Sequence, residues 1–238
     1  MTALATSREA PAMTFPLPPA DLVDLWPPTG VRAVSGDLEL RFASDDLLVA
    51  LARLAGEGGV HAPERMPFNV PWTRGTPDEV ARSVLTFNWS RRPAMTPDEW
   101  SFHFAVLVGG EPVGLQDIGA RDFPITRTVG TGSWLGRRVH GRGIGTRMRA
   151  LVLHLAFDGL GAEIATTAAF ADNAPSNAVS RKIGYRENGR VVDAREGSPA
   201  EHQNYRLDRT DWESGAGVRL DDVRLHGVEA VRDFLGIS

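Results

Sequence analysis

Nine consecutive residues, Arg138-Val139-His140-Gly141-Arg142-Gly143-Ile144-Gly145-Thr146, combine types that bind anions through the main chain. Glycines at 141, 143 and 145 allow a tight turn and a close approach of ligand to backbone. Ile144, Met148, Leu151, Val152 and Leu155 then recur at helical spacing, so the loop opens an amphipathic helix whose first N–H groups lack partners. Such a helix start cradles phosphate. Between positions 137 and 149 there are five arginines (137, 138, 142, 147 and 149) and no Asp or Glu, against a whole-chain charge of −4. The pattern predicts a di- or polyphosphate guest. A P-loop is excluded because no Gly-Lys-Ser/Thr ends the run, and a dinucleotide fingerprint because Thr146 stands where its last glycine belongs. The competing reading is structural: the glycines turn the chain and the arginines face water.

The elements that must position this loop follow from periodicity. Leu38 to Phe42 alternates as a strand, and Ser44 caps a helix bearing Leu47, Leu48, Leu51 and Leu54. A Pro- and aromatic-rich connection, His61 to Thr73, leads to a second helix opened by Thr76-Pro77-Asp78-Glu79 and running to about Arg91. Strands are expected over 101–108 and 112–118, joined by Gly109-Gly110, and over about 128–135, which makes an antiparallel meander. The glycine loop follows, then a helix (about 144–157), a strand (163–170), a short helix (175–183), a strand near 204–207, and a terminal strand and helix (Val228 to Phe234). This is a mixed α/β (α+β) pattern in three parts: a Pro/Ala-rich arm over 1–35, much of it expected extended or poorly ordered, a domain over 36–212, and a strand-helix extension over 213–238.

Composition narrows the chemistry. With 238 residues, 42% hydrophobic and 24% charged, the chain can build one substantial core. The acidic balance supplies no field for nucleic acid, and no apolar run of eighteen residues suggests a membrane span or signal peptide, so a cytoplasmic protein is expected. The absence of cysteine excludes any covalent route through an enzyme thiol, and six histidines without an HxxxH pair make a metal site unexpected.

Arg138-x-x-Gly141-x-Gly143 resembles the acyl-CoA pyrophosphate loop of the GNAT N-acetyltransferase superfamily. Downstream, Asn173-Ala-Pro-Ser176 turning into a short helix that ends in Gly184-Tyr185 resembles the second signature of that family. Gly132-Ser133-Trp134-Leu135 is similar to the fourth strand of the branch that includes ribosomal-protein alanine acetyltransferases. His61 to Phe68, Val70 to Thr73, Asp122 to Arg127 and Ser133 to Gly136 resemble a mycobacterial group reported as succinyltransferases. The likeness covers about residues 36–212.

The resemblance implies the GNAT fold: a mostly antiparallel sheet, flanked by helices and splayed at a cleft that receives pantetheine. It implies direct acyl transfer from acyl-CoA, succinyl-CoA or acetyl-CoA, to the primary amine of a small molecule or protein. It places Arg138, Gly141, Arg142, Gly143, Ile144, Gly145 and Thr146 at the pyrophosphate, Val139 beside pantetheine, and Asn173 and Ser176 on the cofactor's arm. For Asn173 a helix cap, and for Ser176 a first-turn hydrogen bond, are the plainer uses. The family's acid tyrosine falls at Ser180, one turn beyond Ser176, so a serine hydroxyl stands where the leaving thiolate is protonated. The family's basic Glu falls at Gly130, which leaves Asp117 as the substitute base, with His103 and a water relay as alternatives and an exposed strand carboxylate as the plain reading of Asp117. Phe68 and Trp72 are expected at the acceptor or acyl pocket. An acyl carrier protein as donor, a non-catalytic CoA sensor and a homo-oligomer stay open.

Overall fold

A computed structural model describes residues 14–237. Its centre is a nine-stranded sheet in the order β7-β8-β6-β5-β4-β3-β2-β1-β9. The expected meander forms its middle: β3 (Glu99–Val108), β4 (Glu111–Arg121) and β5 (Thr128–Leu135) are antiparallel neighbours. Gly109 and Gly110 turn β3 into β4 with φ of +58° and +84°, a conformation that favours glycine. β6 (Ile164–Phe170) pairs with β5 in parallel, and every other rung of the sheet is antiparallel.

Both faces of the central strands are apolar, because helices cover both. Phe102, Phe104, Val106, Ile118 and Val129 face α5 (Ile144–His154), which is buried from Met148 to His154. Ala105, Leu107 and Leu115 face Leu47, Leu48 and Leu51 of α2 (Asp45–Gly56). Ser44 caps α2, and Thr76 and Glu79 form a reciprocal capping box at the start of α3 (Pro77–Arg91), which packs against α2. A π turn over Leu155–Gly159 closes α5, and α6 (Ala174–Ile183) follows β6.

Three expectations need correction. The arm over 1–35 is not simply extended: residues 1–13 lie outside the described residues, but Ala20–Leu25 is a helix (α1) and Arg32–Ser35 is β1. β1 pairs with β2 (Leu38–Phe42) across a two-residue turn at Gly36-Asp37, and with β9 (Arg224–His226), so both flanks of the chain belong to the sheet. Four residues are too few to show a period, which is why β1 escapes a reading by alternation. A hairpin also stands where only a single strand near 204–207 was expected. β7 (Arg186–Arg195) and β8 (Ser198–Asp208) pair along most of their length, and β7 is an edge strand of almost wholly exposed residues, with no apolar alternation to announce it. A short helix, α7 (Arg209–Glu213), precedes β9, and α8 (Val228–Phe234) ends the chain as expected.

Candidate active site

β5 and β6 pair only at Thr128–Ile164, Val129–Ala165 and Gly130–Thr166. β5 nonetheless continues to Leu135 and β6 to Phe170. From Thr131 and Thr167 onward the two strands separate, and a notch opens toward their C-terminal ends. Side chains bind across its root, where Thr167 Oγ1 donates to the Thr131 carbonyl at 3.0 Å and Thr166 Oγ1 to the Val129 carbonyl at 3.1 Å.

At the mouth of the notch β5 passes through a 3-10 turn, Arg137–Val139, into the glycine loop. Gly141 and Gly143 have φ of +72° and +77°, and a Cβ at either would meet no atom within 4 Å. Glycine is therefore required by the backbone turn, and open space lies in front of it, as a phosphate cradle needs. Gly143 precedes Ile144, the first residue of α5. Of the expected donors, the Thr146 N–H is engaged by the Gly143 carbonyl at 3.2 Å. Val139 is buried in the core, and its N–H donates to the Gly136 carbonyl at 3.1 Å.

The arginines divide. Arg138 is paired with Glu111 at the start of β4, and Arg147 with Asp37 of the β1–β2 turn at 2.6 Å, so neither charge is free for phosphate in this arrangement. Arg137 and Arg142 are exposed, without an ion-pair partner among the described residues. Arg149 points inward from α5. Its Nη1 donates to Thr167 Oγ1 at 3.2 Å and its Nη2 to Ser133 Oγ at 3.4 Å.

Asn173 caps α6: its Oδ1 accepts the Ser176 N–H at 3.3 Å. Ser176 is half-buried on the first turn. Ser180 is 1% exposed, and its hydroxyl donates to the Ser176 carbonyl at 3.2 Å, a bond within α6.

Asp117 is not an exposed strand carboxylate. It is half-buried on β4, opposite Gly132 of β5, and its Oδ1 accepts the Gly132 N–H at 2.8 Å. Burial pushes its carboxyl up to about 6, against the lowering pull of the Gly132 N–H and of Arg149 and Arg91. Gly119, Gly130 and Gly132 surround it on the same face, so this floor of the sheet carries one carboxyl and otherwise bare backbone. His103, opposite Asp117 on β3, is fully partnered: one ring nitrogen meets Asn88 Oδ1 at 2.7 Å and the other Ser101 Oγ at 3.0 Å. Burial holds it down at about 4, so it is neutral near pH 7.

Phe68 and Trp72 are half-buried and tilt against each other at 5.0 Å, and Trp72 meets Trp134 at 5.7 Å. Trp134 is two residues along β5 from Gly132, so this wall stands beside Asp117 on the same face. The same rings pack against Ala52 and Ala55 of α2 and Val80 and Val84 of α3. Ion pairs carry the segment across the notch: Arg65 reaches Asp172 beyond β6 at 3.6 Å, and Arg74 reaches Glu196 of the β7–β8 turn at 2.7 Å.

Composition and motif reading missed Gln116, whose Nε2 donates to the Asp117 and Gly132 carbonyls at 2.9 and 2.8 Å, and the inward turn of Arg149. Arg149 gave no signal, since at 100° per residue it falls outside the stripe of Ile144, Met148, Leu151, Val152 and Leu155. Among the described residues no cluster of three His, Asp or Glu could hold a metal ion, and no helix is long and apolar enough to cross a membrane.

A family model described as an acetyltransferase (GNAT) domain matches residues 37–186. Solved structures share the fold. RimL, a ribosomal L7/L12 α-N-protein acetyltransferase in complex with coenzyme A, is 23% identical over 74% of this chain and 96% of its own, with a TM-score of 0.59. An acetyltransferase of Salmonella typhimurium that modifies the N-terminal serine of the 50S subunit protein L7/L12 is 20% identical over 73% and 96%, with a TM-score of 0.57. One from T. thermophilus is 19% identical over 77% and 92%, with a TM-score of 0.59. With the match spanning the meander, the glycine loop and α6, the chain belongs to the GNAT family of acyl-CoA-dependent N-acyltransferases.

Proposed function

We propose that this protein moves an acyl group, succinyl or acetyl, directly from acyl-CoA to a primary amine while both are bound. The observation that carries the reading is the notch between β5 and β6 opening onto the glycine loop at the start of α5. Pyrophosphate rests on the N–H groups of Arg142 to Gly145, with Arg142 and Arg137 supplying charge from outside. Pantetheine follows the unpaired edge of β5. The amine approaches from the α2–α3 side, over the glycine floor and beside Trp72 and Trp134.

Asp117 takes the proton from the ammonium, directly or through one water. A carboxyl raised to about 6 suits this step better than an ordinary aspartate, because it is a stronger base that is still ionised above pH 7. The amine attacks the thioester carbonyl, and unpaired N–H groups of β5 in the notch stabilise the oxyanion. The tetrahedral intermediate then expels the CoA thiolate, which takes a proton from solvent or from the amine. No enzyme thiol exists to accept the acyl group.

The test is thioester turnover with a panel of amines, including an N-terminal peptide, lysine and small polyamines. Intersecting initial-rate lines and no mass adduct after donor alone support direct transfer. CoA binding without turnover of any thioester by any amine would make the protein a sensor, and turnover confined to carrier-protein donors would displace the CoA reading.

A further inference from the structure

The segment that leads into α1 arches over open space. Phe15 fixes one end, packed against the cluster of Leu47, Leu48 and Leu51, with its carbonyl bound by Arg41 Nη1 at 2.7 Å. Trp26 fixes the other, its ring edge-on to Phe234 of α8 at 5.0 Å. Between them Pro16, Pro18 and Pro19 have no N–H with which to bind β2 or α2, and their fixed φ keeps the span stiff. A cavity of about 370 Å³ stays open beneath the span, within the size range of small-molecule sites. β3 and β4 stand between its β2 wall and the notch, so the two sites are separate.

The walls of this cavity are largely apolar, and the charge left open in them is negative. Leu17 and Leu22 line it while 50% and 43% exposed, and the rings of Trp26 and Phe42 extend the apolar wall. Both arginines of the lining are already engaged. Arg41 holds Glu39 through Nε and Nη2, each at 2.7 Å, and Arg92 holds Asp45 at 2.8 Å and the Ala43 carbonyl at 2.9 Å. Asp45 also accepts the Trp89 indole N–H at 3.0 Å. Asp46, beside it in the first turn of α2, lines the cavity with no hydrogen-bond or ion-pair partner for its carboxylate among the described residues. An anion would meet two engaged guanidinium groups and an open carboxylate. We propose that the cavity binds a small organic cation, a protonated amine seated at Asp46 on an aromatic or aliphatic body that covers Leu17, Leu22, Trp26 and Phe42. The body supplies most of the affinity and the amine the choice of ligand, because apolar burial outweighs an ion pair at an exposed rim.

Four probes test both halves by calorimetry on the full chain: 4-phenylbutylamine, 4-phenylbutanol, 4-phenylbutyrate, and butylamine, which lacks the ring. The wild-type protein should bind 4-phenylbutylamine at least tenfold more tightly than 4-phenylbutyrate or butylamine, and about threefold more tightly than the alcohol, as a pair at an exposed rim allows. Asp46→Asn should bring amine and alcohol to equal affinity, whereas Asp117→Asn, on the glycine floor, should leave the ratios unchanged. Equal affinity of the wild-type protein for 4-phenylbutylamine and 4-phenylbutyrate overturns the proposal whether or not the variants fold. So does an amine preference that survives Asp46→Asn, or one lost in Asp117→Asn instead, which would seat the amine in the notch. No probe binding with a Kd below about 1 mM would leave the cavity to solvent and overturn it as well.

Discussion

Asp117 and Ser180 show how little a residue's type says until its surroundings are fixed. Asp117 owes its raised carboxyl to desolvation on the glycine floor, so kcat/KM should climb with an apparent pKa near 6 and level off above pH 7. Asp117→Asn should lower turnover by about 10²–10⁴ and remove that limb. Stability supplies an independent check. A carboxyl whose folded pKa lies above its unfolded value of 3.8 opposes folding once ionised, a penalty absent below about pH 4 and fully developed above about pH 6. Asp117→Asn should therefore raise the melting temperature at pH 8 and leave it unchanged at pH 4; a variant of wild-type activity and pH profile would remove Asp117 from the chemistry. Ser180 runs the other way. Its hydroxyl already donates to the Ser176 carbonyl, so Ser180→Ala should keep turnover within about threefold of wild type, where a true thiolate donor would cost tenfold or more, about 1.4 kcal/mol. Steady-state kinetics decides.

Elements were legible where their signal is local. The glycine loop could be read from sequence because positive φ at Gly141 and Gly143 and the apolar stripe of α5 are both written in residue types. The meander was legible for the same reason, through the Gly109-Gly110 turn and the apolar runs on either side. β1 and β7 were not, since one is four residues long and the other is an exposed edge whose only cue is its pairing with β8. Nor was the raised carboxyl of Asp117, which depends on its pairing opposite Gly132 and on the bare backbone around it. The glycine loop carries its own prediction. A Cβ at Gly143 would meet nothing in the protein, so Gly143→Val strains one backbone position and fills the space that a phosphate needs. CoA should bind at least tenfold more weakly, about 1.4 kcal/mol, in a variant whose circular dichroism is unchanged. Calorimetry giving wild-type affinity would move the pyrophosphate elsewhere.

At the scale of the molecule, the sheet does not end where the sequence likeness ends. β1 stands between β2 and β9, and Val31, Val231, Leu235 and Ile237, from the two flanks, are each at most 5% exposed. Val31 and Val231 belong to the same core cluster as Leu38 and Leu40, the inward residues of β2, and as Leu151 and Val152 of α5. A fragment cut to 36–212 loses these contacts and leaves β2 as a bare edge, with the helix that presents the glycine loop less firmly backed. Burying four aliphatic side chains of this size is worth about 6–12 kcal/mol as an upper estimate, comparable with the whole stability of an ordinary domain at about 5–15 kcal/mol. The 36–212 fragment should therefore be unfolded or molten at 25 °C, with lost near-ultraviolet circular dichroism and no CoA binding. A 36–212 fragment that melts cooperatively near the full chain and binds CoA would make the flanks appendages, and the catalytic unit would then be the shorter segment that the sequence likeness suggests.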